Sequence, residues 1–185
     1  MCDRRIASVS DILDRVKFST KDSCPSELDK LLYTAFQVRF RRWLCGKGHP
    51  AQLRGKFIGD ELFTAEEHDP LVRARCFLHA ASDLDLIPLS PSLQFKVCSL
   101  VITDPVQSLA HSIQIVLNVP SSENSLTTAV PPPIAFHTCD TRMVVTIDTW
   151  VQNALREPCT LNDDDATAFD LWIHTQMILT EYNRT

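Results

Sequence analysis

Apolar positions recur at helical spacing over residues 26–44, where Leu28, Leu31, Leu32, Ala35, Phe36 and Phe40 define one face. Ser26 follows Pro25 and stands three residues before Asp29, an N-cap with an approximate capping box. Arg39, Arg41 and Arg42 crowd the far end, where cations complement the helix dipole, and the run stops at Cys45-Gly46-Lys47-Gly48-His49-Pro50. A shorter helix is expected over 9–16, capped by Ser8 or Ser10. Residues 64–82 repeat the helical pattern at 71, 74, 77, 78 and 81, with Thr64 three residues before Glu67 as a capping box and Pro70 in the first turns or delaying the start.

The period then changes. Residues 95–102, 113–119 and 143–147 are short, β-branched and apolar, and read as strands. A helix follows over 148–158, with Asp148 or Thr149 as its cap and Pro158 as its stop, and then a last helix with Asp163, Asp164 and Asp165 near its positive end. The order implies an α/β (α+β) fold, a small mixed sheet flanked by helices and preceded by a helical N-terminal segment. All four glycines lie between Gly46 and Gly59, which marks a boundary: a basic helical segment over 1–59 ending in a Gly-rich linker, then an α/β domain over 60–185. The glycines do not follow the order of a phosphate-binding loop.

Composition supports a folded domain, since 44% of the 185 residues are hydrophobic and 22% charged. No apolar run approaches the roughly 20 residues that span a bilayer, and the N-terminus lacks the continuous apolar stretch of a signal peptide. Seven cysteines at 2, 24, 45, 76, 98, 139 and 159 form no framework spacing, so reduced thiols in the cytoplasm or nucleus are expected. Cys45 and His49 have a ligand-like separation, but no second pair accompanies them, so neither a metal nor another cofactor is expected. The net charge of −5 hides an asymmetry: residues 1–59 hold 12 Lys/Arg against 6 Asp/Glu, the remainder 6 against 17.

Candidate chemistry centres on His137, Thr138 and Cys139, which follow a proline-led loop and precede a strand. A cysteine at such a lip is open to solvent and near backbone N–H groups, His137 can raise the local positive potential, and Thr138 can donate to the sulfur. Two other readings stand beside it. Arg39, Arg41, Arg42, Lys47, Arg54 and Lys56, interleaved with Phe40 and Trp43, form a candidate nucleic-acid surface over 39–56. The segments 150–158 and 169–179 offer amphipathic faces for a non-catalytic protein-interaction module, although Leu155, Leu171, Trp172, Met177 and Ile178 suit a core better. His79, His111 and His174 lie among apolar residues and are expected to be buried and satisfied rather than to act as ligands.

From about residue 64 onward the order of features resembles the C-terminal, catalytic-cysteine lobe of HECT-type E3 ubiquitin ligases. Phe77-Leu78-His79-Ala80-Ala81-Ser82 and then Ile87-Pro88 echo the stretch that follows the lobe's first helix. The strand at 95–102 comes next, and Pro132, Ile134, Ala135, His137, Thr138 and Cys139 keep the order of the family's cysteine loop, with Phe136 inserted. The resemblance implies that Cys139 accepts ubiquitin from a ubiquitin-conjugating enzyme as a thioester and passes it to a lysine of a protein substrate. It implies that His137 and Thr138 shape the loop and stabilise the thiolate or oxyanion, and that Tyr182 serves as the family's C-terminal aromatic. The residues before 64 are too few for the family's N-terminal lobe, so weak or partial transfer is expected of this chain by itself.

Overall fold

The computed structural model describes residues 3–20, 26–84, 87–88, 94–101, 131–158 and 166–182. The helices are α1 (Ser10–Leu13), α2 (Glu27–Leu44), α3 (Asp60–Glu66), α4 (Val72–Ser82), α5 (Thr149–Arg156) and α6 (Ala168–Tyr182). The strands are β1 (Asp3–Arg4), β2 (Val16–Thr20), β3 (Ile87–Pro88), β4 (Phe95–Val101), β5 (Ala135–His137) and β6 (Arg142–Ile147). The fold is a mixed α/β one: four strands in the order β2-β4-β6-β5 with helices flanking them. β2, β4 and β6 run parallel, β5 runs antiparallel to β6, and β1 with β3 makes a separate antiparallel ribbon.

The register follows side-chain alternation. Pairing Phe18 with Val97 and Val97 with Met143 sets those residues, with Val16, Phe95, Val145 and Ile147, on one face of the sheet. That face meets α2 and α4 in a core built largely from rings. Phe40 lies at its centre, with ring centroids 5.7 Å from Phe18, 6.1 Å from Phe36, 5.7 Å from Trp43 and 5.4 Å from Phe77. Residues on both sides of the glycine-bearing corner therefore share one core, and β2 and α2 belong to it as fully as β4, β6 and α4 do.

Several sequence expectations change in detail. The capping box of α2 forms in both directions between Ser26 and Asp29, and Asp148 caps α5 by accepting from the Val151 N–H. The buried stripe of α2 is Leu32, Phe36, Arg39, Phe40, Trp43 and Leu44, while Leu28 and Leu31 face outward. Arg39 is buried because its guanidinium donates to the carbonyls of Leu155 and Glu157 at the end of α5. The helix expected over 9–16 is shorter, and the chain turns into β2, whose parallel ladder with β4 outweighs the weak strand signal of Lys17, Ser19 and Thr20. Residues 64–82 are two helices: α3 starts after Gly59, so Thr64 is interior and donates to the Asp60 carbonyl, and Pro70 lies in the break before α4. The strand expected over 113–119, His111 and Asp163–Asp165 lie outside the described residues.

Phe40→Ala removes the ring shared by α2, α4 and β2 and is expected to lower unfolding stability by about 3–5 kcal/mol in urea titration. A loss below about 1 kcal/mol would show that the site collapses around the cavity or that Phe40 is not central.

Candidate functional site

The cysteine turn is assembled from four directions. Prolines 131–133 hold an extended approach to β5, and α6 fixes it: the Trp172 indole N–H donates to the Pro132 carbonyl at 2.9 Å, and the Ile134 N–H donates to Gln176 Oε1 at 3.1 Å. After β5, Thr138–Asp140 forms one 3-10 turn, and Thr141 reverses the chain with a left-handed φ of 50°. The Thr141 hydroxyl donates to the Gln94 carbonyl at 2.6 Å, and the Lys96 N–H donates to the Thr141 carbonyl at 2.9 Å, which ties the turn to the start of β4. α4 packs against the turn from below.

Cys139 is exposed on this turn. His137 is exposed at the end of β5, opposite Arg142 in the ladder, and Thr138 is half-buried. The turn thus brings the three residues together in space, but no side-chain hydrogen bond joins Cys139 to His137 or Thr138 among the described residues. Asp140, the residue after Cys139, pairs with Arg142 at 3.2 Å. Cys76 and Cys98 are half-buried, and burial pushes the Cys45 thiol up, which lowers its thiolate fraction.

Of the basic residues at 39–56, Arg41, Lys47, Arg54 and Lys56 are exposed and Arg39 is buried. Phe40 and Trp43 are fully buried, so neither ring can stack on a base, and Arg39 is engaged in the core. Arg54 pairs with Asp60 at 2.6 Å, and the Arg41 guanidinium lies over the Phe18 ring at 5.4 Å. The faces of α5 and α6 considered for partner binding are also core, since Leu155, Trp172, Met177 and Ile178 are buried and Leu171 is half-buried.

A second constellation has no local sequence signature. His49 leaves the glycine-bearing corner with its side chain 4% exposed; its Nδ1 meets His174 Nε2 at 2.8 Å, and its Nε2 meets Glu66 Oε2 at 2.8 Å. Arg75 donates to Glu66 Oε1 at 2.9 Å and to Asp69 Oδ2 at 2.8 Å. Burial raises the Asp69 carboxyl, but the Leu71 N–H and the Arg75 guanidinium outweigh it and hold Asp69 below the usual carboxylate value. Of these residues His49, Glu66 and Arg75 border a cavity of about 250 Å³ whose remaining wall is largely apolar, with Phe57, Ile58, Leu62 and Ile178. Their separations along the chain reach 125 residues, so spacing alone could not have revealed them. No group of three or more His, Cys, Asp or Glu residues is arranged to hold a metal ion among the described residues.

His174 is buried as expected but only half satisfied, because its Nδ1 has no partner. Burial, then the proximity of His49 and Arg73, holds its pKa well below 6.5, so the ring is neutral. Glu66 Oε2 accepts from His49 Nε2–H, and one hydrogen bond joins His49 Nδ1 to His174 Nε2, with the donor set by the tautomers of the two rings.

Comparison with protein-family models, curated proteins and solved structures finds no match to this chain.

The His174 environment sets a pH dependence with a definite sign. Unfolded, the ring binds a proton near pH 6.5; folded, it resists protonation, so stability is complete above about pH 7 and falls as pH drops through 6.5 toward the depressed folded value. The contribution is at most one proton, or about 1.4 kcal/mol per pH unit. Urea titrations at several pH values between neutral and mildly acidic are expected to show this slope, and His174→Gln is expected to reduce it by about one proton. An unchanged slope in that variant would contradict a neutral buried His174.

Proposed function

We propose that Cys139 carries ubiquitin as a thioester, accepting it from a ubiquitin-conjugating enzyme and delivering it to a lysine of a protein substrate. The observation that supports this reading best is an exposed thiol on a turn tied to β4 and supported by α4, reached through a proline segment fixed to α6. A nucleophile needs both access and a defined position, and a tethered turn supplies both without burying the sulfur.

The reaction follows from thiolate chemistry. Cys139 loses its proton, with exposed His137 as the nearby acceptor, and the sulfur attacks the carbonyl carbon of the donor thioester. The new C–S bond forms as the old one breaks, and the donor cysteine leaves as a thiolate that takes up a proton. In the second half the amine of a substrate lysine attacks the same carbonyl, an isopeptide C–N bond forms, and Cys139 departs and is reprotonated. N–H groups of the Thr138–Asp140 turn are candidates to receive the developing oxyanion, with Thr138 shaping the turn. β5 is the outermost strand of its sheet among the described residues, so an extended C-terminal tail can lie along it toward the turn. Such an activity belongs in the cytoplasm or nucleus, and it is slow where no separate lobe recruits the conjugating enzyme. No helix among the described residues is long and apolar enough to cross a membrane.

A second reading, a non-catalytic interaction module, is favoured by α2, where Leu28, Leu31 and Val38 are 47%, 68% and 59% exposed at helical spacing. The two readings separate in one assay. Incubated with charged conjugating enzyme, the chain is expected to give a ubiquitin adduct that a thiol reductant removes, that Cys139→Ala abolishes and that Cys45→Ala retains. A folded protein that forms no adduct would refute thioester transfer and leave the interaction module.

A further inference from the structure

We infer that the exposed face of α2 is a dimerisation surface, on which a second copy of this chain packs its own α2 antiparallel. The inference names an occupant for that face and is independent of the chemistry at Cys139. Leu28, Leu31, Ala35 and Val38 recur at alternating steps of three and four residues, the spacing of a coiled-coil seam. Leu28, Leu31 and Val38 are exposed and Ala35 is half-buried, so the seam lies apart from the buried stripe that α2 turns to β4 and α4. Scattered exposed apolar side chains are ordinary, but three on one seam of one helix make a contact surface. Arg42, next on the seam, stands 3.8 Å from Asp170 of its own chain, so the apolar part ends at Val38.

The flank of the seam selects the occupant. Glu27, Thr34 and Arg41 recur along one side of it and are all exposed, whereas Leu32 and Arg39 on the other side are buried. The open flank therefore runs acidic, neutral, basic, and it complements itself only when reversed. An antiparallel pair sets Glu27 of each chain beside Arg41 of the other, with the two Thr34 side chains between them at the dyad. The seam obeys the same reversal: Leu28 faces Val38 of the second copy, and Leu31 faces its Ala35, large against small. Parallel pairing would gather Glu27 and Asp29 of both chains at one end and Arg41 and Arg42 of both at the other, and would align the two helix dipoles. An unrelated partner has no need of charges that invert about the middle of the helix. Glu27 pairs with Lys30 through Oε1 at 2.6 Å, but both side chains are largely in water, so that contact holds the carboxylate weakly. The apolar seam is about 15 Å long, short for a permanent interface, so a dimer with a Kd of about tens to hundreds of micromolar is expected.

The test is sedimentation equilibrium of the full chain, kept reduced, from low micromolar concentration to about 1 mM, with circular dichroism to show that each variant folds. A reversible monomer–dimer equilibrium is expected. Leu31→Glu, at an exposed position that costs the fold little, is expected to weaken it about tenfold or more. Glu27→Arg places like charges together on both sides of the dyad and is expected to weaken it about threefold to tenfold. The double variant Glu27→Arg with Arg41→Glu restores opposite charges in the antiparallel pair and is expected to return the affinity to within about threefold of the native value. Cys139→Ala is expected to dimerise as the native chain does, so loss of thioester transfer and loss of the dimer are separate results. A chain that stays monomeric at every concentration, a dimer unchanged by Leu31→Glu, or a double variant no tighter than Glu27→Arg would overturn the inference.

Discussion

Phe77 meets Phe40 and Phe95 with ring centroids 5.4 Å away in each case, and this double contact ties α4 to α2 on one side and to the sheet on the other. Edge-to-face ring pairs add a directional preference to the burial of apolar area, so they fix the rotation of α4 as well as its depth. That rotation decides what the rest of the helix presents. Val72, Arg75, Cys76 and His79 line the cavity, and the helix also supports the 138–140 turn. Both candidate sites therefore depend on one helix held by one ring cluster, and a change at Phe77 is felt at both.

A second device works at the far end of α2. The Arg73 guanidinium, buried on α4, donates to the carbonyls of Trp43, Lys47 and Gly48, so a side chain from one helix closes the end of another. Gly46 leaves space for it: a Cβ there would lie 2.0 Å from Arg73 Nη1. Gly48 adopts a left-handed φ of 52° with its Cα against the Glu67 carbonyl, and the next residue is His49. The corner delivers that imidazole between Glu66 and His174. Glycines that look like a linker along the chain serve in three dimensions as the fitted base of a polar cluster.

Elements with strong local signals were legible in the sequence. Ser26 with Asp29, Asp148 before α5, and the alternating residues of β4 and β6 each carry their reason within a few positions. β2 was not legible, because Lys17, Ser19 and Thr20 become a strand only through pairing with β4, some 79 residues away between Ser19 and Cys98. The outward turn of Leu28 and Leu31 was hidden for a similar reason: Arg39 takes a core position by reaching carbonyls on α5, which helical periodicity does not register. The exposed position of Cys139 follows from prolines before it and a strand after it, both visible in the chain. Its tethers to Gln94 and α6 are not, and neither is the cluster of His49, Glu66 and His174, whose members meet only after folding.

The functional account rests on the Cys139 sulfur being reachable by a protein-borne carbonyl while its turn stays in place. The most direct measurement treats the native chain with ubiquitin bearing an electrophile in place of its C-terminal carboxylate and maps the product by mass spectrometry. The account predicts one adduct, on Cys139, that disappears when the protein is unfolded before treatment. No adduct on the native chain, or labelling spread over Cys45, Cys76 and Cys98 to the same extent, would contradict it.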